Sequence, residues 1–267
     1  MDLDRRETDK LLGPGGWHSA DPRDYETLPQ TVAVMPKRFA DGTVIAPHSH
    51  RRDQLLYAVS GVMRIGTAEE AWVVPPDRAL LMPAGVVHSV EVRGDVEMRT
   101  LYIAPAEPGA IKVLRVSPLL RELISALARE PMDYSGNRRA EQIAGLIGTE
   151  LSGAEALPLN IPLPRDPRLQ QVCERLLRDP SLTLSLEQLA DGAGASSKTL
   201  ARLSARELGM SFAAWRRRVR FSRAFELLER NRPMKQVARR CGYESPSAFT
   251  FAFRKEFGAS PTEFRAL

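Results

Sequence analysis

Apolar and polar positions change their period along the chain. From Gln30 to about Ile103 they come in short runs, TVAVMPKRF, GTVIAPHSH, QLLYAVSGVMRIGT, EEAWVVPP, RALLMPAG, VVHSVEVRG and DVEMRTLYI, separated by Gly, Pro and Asp. Such runs between turn formers predict strands, and their spacing predicts an all-β sandwich or barrel. At Pro118 the period becomes helical, with Leu119, Leu120, Leu123, Ile124 and Leu127 in phase, and a second helix over 138–151 carries Ile143, Leu146, Ile147 and Leu151. LPLNIPLPRDPR follows, whose four prolines stop helices and favour extended chain. From there to the end the pattern is helical.

That helical region contains one sentence written twice. The first copy runs from Leu186 to Arg216 and the second from Met234 to Arg265. Ala190 matches Ala238 and Gly194 matches Gly242 at an offset of 48; Leu200 matches Phe249, Gly209 Gly258, Ser211 Ser260, Trp215 Phe264 and Arg216 Arg265 at 49. Two short helices crossing steeply need a small residue where their backbones meet and a residue free to take positive φ between them. Ala and Gly four positions apart supply both. The helix after each turn buries one apolar edge, Leu200, Leu203 and Leu208 in the first copy and Phe249, Phe253 and Phe257 in the second. Its other face is then free to enter a groove. A helical hairpin that only packs fits one copy; two copies on a basic background fit it poorly.

Charge sharpens this picture. The whole chain of 267 residues carries a net +5, yet residues 166–267 carry +8 and residues 1–165 carry −3. Arg216, Arg217, Arg218, Arg220 and Arg223 concentrate between the repeats, and Arg239, Arg240, Arg254, Lys255 and Arg265 in the second copy. An Arg-rich face beside two groove-sized helices is the footprint of phosphate contacts and points to double-stranded DNA. No apolar stretch is long enough to span a bilayer and no signal-like segment follows MDLDRRETDK, so a cytoplasmic chain is expected. The two cysteines, Cys173 and Cys241, read as small core residues, and no disulfide is expected.

The residues Ala238-Arg-Arg-Cys-Gly242-Tyr243, Ser247-Ala-Phe249, Phe253-Arg254-Lys255, Phe257-Gly258, Pro261 and Phe264-Arg265 resemble the DNA-binding domain of AraC/XylS-type transcription regulators. That resemblance implies a rigid helix, here 212–229, holding two recognition helices about 34 Å apart along one side of the DNA. By position it implies base readout by Ser197, Lys198, Ala201 and Arg202 in the first module and by Pro246, Ser247 and Thr250 in the second, with Phe251 near a thymine methyl. Arg216, Arg254 and Lys255 join them as DNA-binding candidates. Family members often carry a longer polar residue where Pro246 or Phe251 stands, which implies weaker readout by the second module.

The N-terminal candidates are histidines. The chain has four, and three are His48, His50 and His88. His48 and His50 share a strand face, and Gln54 keeps their parity. The layout from Gly42 through His48, His50, Gln54 and Gly61, then Pro83, Gly85 and His88, resembles the two motifs of the cupin family. In cupins that set binds a divalent metal inside the barrel, with Glu commonly where Gln54 stands. Three imidazoles with Gln54 as a weak fourth ligand could hold Zn, Ni, Cu or Fe. The same groups could instead hydrogen-bond an organic effector together with Tyr57, or be satisfied interior polar residues. Tyr57, Met63, Trp72 and Met82 are candidates to line the barrel, although apolar strand residues are more often core. His18, beside GPGG, reads as loop with no ligand role, and no catalytic acid–base pair, phosphate loop or nucleophile elbow is present.

The fold class is therefore α+β in two domains, a cupin-like β-barrel (double-stranded β-helix) and an all-α double helix-turn-helix domain. The expected boundaries are a mobile leader over 1–29, the sensing barrel over 30–110, a helical dimerisation segment over 118–155, a Pro-rich linker over 156–168 and the DNA-binding domain over 169–267. Pairing of two subunits through the helical segment is what the resemblance implies. The function expected is that of a ligand-responsive transcription regulator, activator or repressor, controlling a neighbouring transporter or catabolic gene and meeting RNA polymerase if it activates. The alternative is a metal-dependent cupin enzyme, a dioxygenase or isomerase, with an accessory C-terminal domain. Fusion to tandem DNA-binding modules weighs against the enzyme.

Overall fold

The computed structural model describes residues 18–76, 78–105, 109–157 and 160–265. The N-terminal elements are α1 (Pro22–Glu26), β1 (Val32–Phe39), β2 (Val44–His48), β3 (Asp53–Gly66), β4 (Glu70–Val74), β5 (Arg78–Met82), β6 (His88–Ile103) and β7 (Lys112–Arg115). Two helices, α2 (Pro118–Leu127) and α3 (Arg138–Gly153), precede the short strands β8 (Ala156–Leu157) and β9 (Asn160–Pro162). The remainder is helical: α4 (Pro167–Arg178), α5 (Leu186–Asp191), α6 (Ser197–Glu207), α7 (Phe212–Glu229), α8 (Met234–Arg240), α9 (Pro246–Phe257) and α10 (Pro261–Arg265). The chain divides into two compact units, one of Met1–Ile65 with Val74–Pro158, the other of Gly66–Val73 with Leu159–Leu267. A sheet-rich N-terminal domain and a helical C-terminal domain are the architecture expected.

In the first unit the strands run in the order β1-β6-β3-β5-β7-β8, with β2 also on β6. β6 pairs antiparallel with β1 from Val32↔Ile103 to Phe39↔Val96 and with β2 at Val44↔Glu91 and His48↔His88. The sequence suggested two strands, VVHSVEVRG and DVEMRTLYI; they form one. His88, Val90 and Val92 before Gly94 and Val96, Met98 and Thr100 after it are buried at one parity, so Gly94 at φ +77° does not change which face the strand buries. On the outer face, Leu55, Tyr57 and Leu101 pack with Leu120, Leu123, Ile124 and Leu127 of α2 and Ile143 and Ile147 of α3. Ser117 and Asn137 cap these helices by accepting from Leu120 N and Ala140 N.

From residue 18 on, the leader segment is packed within the first unit. Asp21 caps α1 by accepting from Arg23 N, and Tyr25 is fully buried. His18 is buried too, its Nδ1 3.2 Å from Tyr25 Oη and its Nε2 3.0 Å from the Ala128 carbonyl. The GPGG loop lies outside the described residues.

In the second unit residues 160–162 of the Pro-rich stretch form a strand. β9 pairs antiparallel with β4 at Glu70↔Pro162, Ala71↔Ile161 and Trp72↔Asn160, and Asn160 Nδ2 donates to Glu70 Oε1 at 2.8 Å. Pro162 is tolerated because it sits at the end of a short strand. Trp215 Nε1 donates to the Pro162 carbonyl at 2.8 Å, and Arg218 of α7 donates to Asn160. Ile161, Leu169, Val172, Cys173, Leu176, Leu189, Leu200, Leu203 and Trp215 form the first helical core. Among the described residues no helix is long and apolar enough to cross a membrane.

Candidate functional site

The helical repeat builds two matching surfaces. In the first copy Ser185 and Gln188 form a reciprocal capping box that starts α5, and Ser196 starts α6 by accepting from Thr199 N. Ala190 is buried at the crossing and Gly194 takes φ +62° in the turn. Leu200, Leu203 and Ser204 turn inward, which leaves Lys198, Ala201 and Arg202 exposed and Ser197 half-buried on the opposite edge. Neither Lys198 nor Arg202 makes an ion pair with a described residue, so both cations are available to an outside partner.

The second copy repeats the device with aromatic packing. Ser245 caps α9 by accepting from Ala248 N, Ala238 is buried at the crossing, Gly242 takes φ +72°, and Gly258 ends α9 in the left-handed conformation. Phe221 and Phe225 of α7 meet Phe249, Phe253, Phe257 and Phe264 at ring separations of 4.9 to 6.5 Å. Pro246, Ser247, Arg254 and Lys255 are exposed, Thr250 is half-buried, and Phe251 is 74 % exposed. Phe251 thus stands open on a helix that buries Phe249 and Phe253.

Arg216 departs from the expected role. Its guanidinium is turned inward onto the carbonyls of Leu182 and Leu184, so it fastens the loop between α4 and α5 to α7 rather than lying ready for a phosphate. Arg220, one turn on, donates to Leu182 O at 3.1 Å and lies 5.6 Å over the Tyr243 ring. Arg217 pairs with Glu256 at 3.1 Å. The arginines of α7 are thus largely structural ties that set the two modules against each other.

The other site is a cavity of about 1170 Å³ in the first unit. β2 delivers His48, the following loop His50 and the first position of β6 His88; one donor nitrogen from each lies within 4.8 Å of the others. Their Nδ1 atoms are each held by an oxygen: Ala46 O at 2.8 Å, Glu26 Oε1 at 2.7 Å and Val86 O at 3.0 Å. With Nδ1–H as donor, each Nε2 carries the free lone pair. Nε2 of His50 and of His88 and Oε1 of Gln54 are buried without a hydrogen-bond partner among the described residues. Gln54 Nε2 donates to Tyr102 Oη at 3.4 Å, which leaves that Oε1 for the cavity. Burial pushes His88 down to about 4 and also lowers His50, so both are neutral near pH 7. Three imidazoles oriented through Nδ1, with the inner nitrogens of His50 and His88 unpartnered among the described residues, are a donor set that fits a divalent transition metal.

Tyr57, expected near this site, is not part of the cavity. It lies three positions from Gln54, on the opposite face of β3, and packs under α2 and α3. Met82, Met63 and Trp72 are likewise buried outside the cavity lining. Sequence reasoning missed Glu26 and Lys37. Glu26 carried no signal, because nothing in the sequence brings the leader to His50. Lys37 did, since it shares the parity of Ala33 and Met35 along β1. His18, set aside as loop, takes a packing position.

Comparison with known proteins places these two sites in two recognised domains. A helix-turn-helix domain model matches residues 189–267 and a cupin domain model matches residues 37–104. The chain is 31 % identical over 222 residues to the HTH-type transcriptional regulator NimR of Escherichia coli K12, covering 82 % of this chain and 81 % of that protein. It is 33 % identical over 116 residues to the arabinose operon regulatory protein of the same organism, covering 42 % of this chain and 39 % of that one. Among solved structures, an AraC-type transcriptional regulator from Chromobacterium violaceum is 28 % identical, covering 38 % of this chain and 90 % of that chain at a TM-score of 0.35.

Proposed function

The chain belongs to the AraC-type family of helix-turn-helix transcription regulators, and from that premise we propose that it reads a promoter with α6 and α9 and senses an effector in the histidine cavity. It is a DNA-binding regulator. The observation that carries the reading of its DNA face is the pair of exposed helix edges, Ser197, Lys198, Ala201 and Arg202 on α6 and Pro246, Ser247, Thr250 and Phe251 on α9, both fixed to α7. Arg254 and Lys255 add phosphate contacts, and Arg202 is the candidate for bidentate contact to a guanine.

The cavity is the effector site, with His48, His50, His88 and Gln54 as its polar groups. A divalent ion held by the three Nε2 atoms, with Gln54 Oε1 as a weaker fourth donor, would supply a Lewis-acidic anchor for an oxygen or nitrogen of the effector. The residues themselves orient the site: Glu26, Ala46 O and Val86 O fix the imidazoles, and Asp53 Oδ1 holds the loop before His88 by accepting from Ala84 N at 2.9 Å. We read the barrel as a sensor rather than an enzyme because the relatives it resembles are regulators.

The chain pairs with a second copy through α2 and α3, which expose Leu119 and Leu146 at 54 % and 50 %. An activator of this kind would also meet RNA polymerase, at a transporter or catabolic gene. The test is selection of genomic DNA fragments by the full-length protein, followed by binding at several salt concentrations. Enrichment of one site, with affinity falling as salt rises, supports the reading. Uniform recovery of all fragments at every salt concentration overturns it.

A further inference from the structure

One wall of the histidine cavity carries a cation that makes no ion pair with a described residue. β1 sends Ala33, Met35, Lys37 and Phe39 to one side, and the last three line the cavity. Ala33 and Met35 are buried apolar residues packed with Tyr25 and Tyr102; two positions further on the side chain in register with them is a lysine. Lys37 is half-buried and makes no ion pair or hydrogen bond with a described residue. Two carboxylates also line the cavity, and both are engaged elsewhere. Asp21 accepts from Arg23 Nε at 3.0 Å and pairs with its Nη2 at 2.5 Å, and Glu26 holds His50. Burial lowers the Lys37 ammonium from its ordinary value, and the Asp21 carboxylate offsets this only in part. A lysine kept at such a position without a partner is a recognition group for an anion.

The rest of the wall defines the body of that anion. Met35, Phe39, Ile45, Leu56, Val90 and Met98 make it apolar. Arg23 and Arg51 also line the cavity, but both are exposed and Arg23 is paired with Asp21, so Lys37 is the half-buried cation beside these apolar residues, and one ammonium there suits one carboxylate better than a phosphate with its two charges. Resting on the reading of this cavity as the effector site, we infer that the effector is a small apolar monocarboxylate whose acid group pairs with Lys37 and whose body lies along Met35, Leu56 and Met98. Lys37 is then the residue that selects acid over neutral analogue, and the histidines meet the opposite part of the ligand or the metal.

The test uses the full chain and two probe pairs, octanoate with octanamide and 3-phenylpropionate with its amide, titrated calorimetrically. At least one acid should bind about tenfold or more tightly than its amide, and Lys37→Met should remove that preference while leaving amide affinity unchanged. Lys37→Arg should retain it. Equal binding of acid and amide, or no binding of any probe, overturns the assignment. So does a preference that survives Lys37→Met and disappears on chelator treatment, since the carboxylate would then sit on a metal at the histidines. Promoter binding measured on the same preparation separates the two readings: its loss strikes the regulator, whereas intact DNA binding with indifferent probes strikes only the anion.

Discussion

The guanidinium of Arg220 lies where a side chain on Gly242 would stand: a Cβ there would be 2.6 Å from Nη2 and 2.9 Å from Cζ. Gly194, its counterpart in the first copy, has the same positive φ but nothing within 4 Å. Both glycines are required by the backbone, and only the second is also required by its neighbour. Gly242→Ala should therefore cost more than Gly194→Ala, by about 1 kcal/mol beyond the roughly 1 kcal/mol of left-handed strain common to both. Urea unfolding of the two variants checks this. Combining Gly242→Ala with Arg220→Ala should be less than additive, because the displaced guanidinium is already gone.

Arg202 and Arg254 should fail differently on DNA. Arg202→Ala should weaken the specific site by about 1–3 kcal/mol and random DNA much less, as loss of a base contact requires. Arg254→Ala should weaken both alike and reduce the salt slope by about 1. Arg216→Ala, despite removing the same charge, should leave that slope unchanged and lower thermal stability, because its guanidinium serves Leu182 and Leu184. Equal losses on specific and random DNA for Arg202→Ala would remove it from base readout.

Metal content tests the histidines. Purified untagged protein should carry near-stoichiometric transition metal by plasma mass spectrometry, and the triple variant His48→Ala, His50→Ala, His88→Ala should carry none. Glu26→Gln, which keeps the size but removes the charge behind His50, should reduce metal affinity about 10–100-fold. Unchanged affinity would show that the Glu26 carboxylate does not support a metal ligand.

Acid should reveal the buried His18. Burial lowers its proton affinity below the ordinary imidazole value, so the folded chain keeps it neutral while the unfolded chain takes up a proton near pH 6.5. Stability from this site is present above that value and is lost as pH falls below it. His18→Gln should be less stable than the parent at pH 7.5, and the gap in urea midpoint should narrow at pH 5.5. A gap independent of pH would leave the hydrogen bonds to Ala128 and Tyr25 as its whole contribution.

Leu119→Asp with Leu146→Asp should convert a dimer to a monomer in sedimentation velocity without unfolding it, because both side chains are already in water. A parent chain that sediments as a monomer would end the pairing proposal.

Much of this was legible in the sequence because it depends on local spacing. The repeat, its glycines, the parity of His48, His50 and Gln54, and the two helices under the sheet all follow from periods of two and 3.6. What was not legible depends on contacts between distant segments. Glu26 reaches His50 from the leader, and the inward turn of Arg216 depends on carbonyls more than thirty residues away. Tyr57 is the instructive error: it lies on the same strand as Gln54, and an odd separation already assigned it to the other face.

Strand β4 has a consequence for how such proteins can be recombined. Residues Gly66–Val73 lie within the N-terminal stretch of the gene yet form part of the DNA-binding unit, where Ala71 pairs with Ile161 and Glu70 holds Asn160. No single cut in the gene therefore separates the two units. A chimera that joins a foreign sensor to the chain from residue 160 onward inherits β9 with its partner strand missing, and the graft succeeds only if the new sensor brings a hairpin of matching reach. Exchanging heads among these regulators must therefore keep residues 66–73 with the DNA-binding unit.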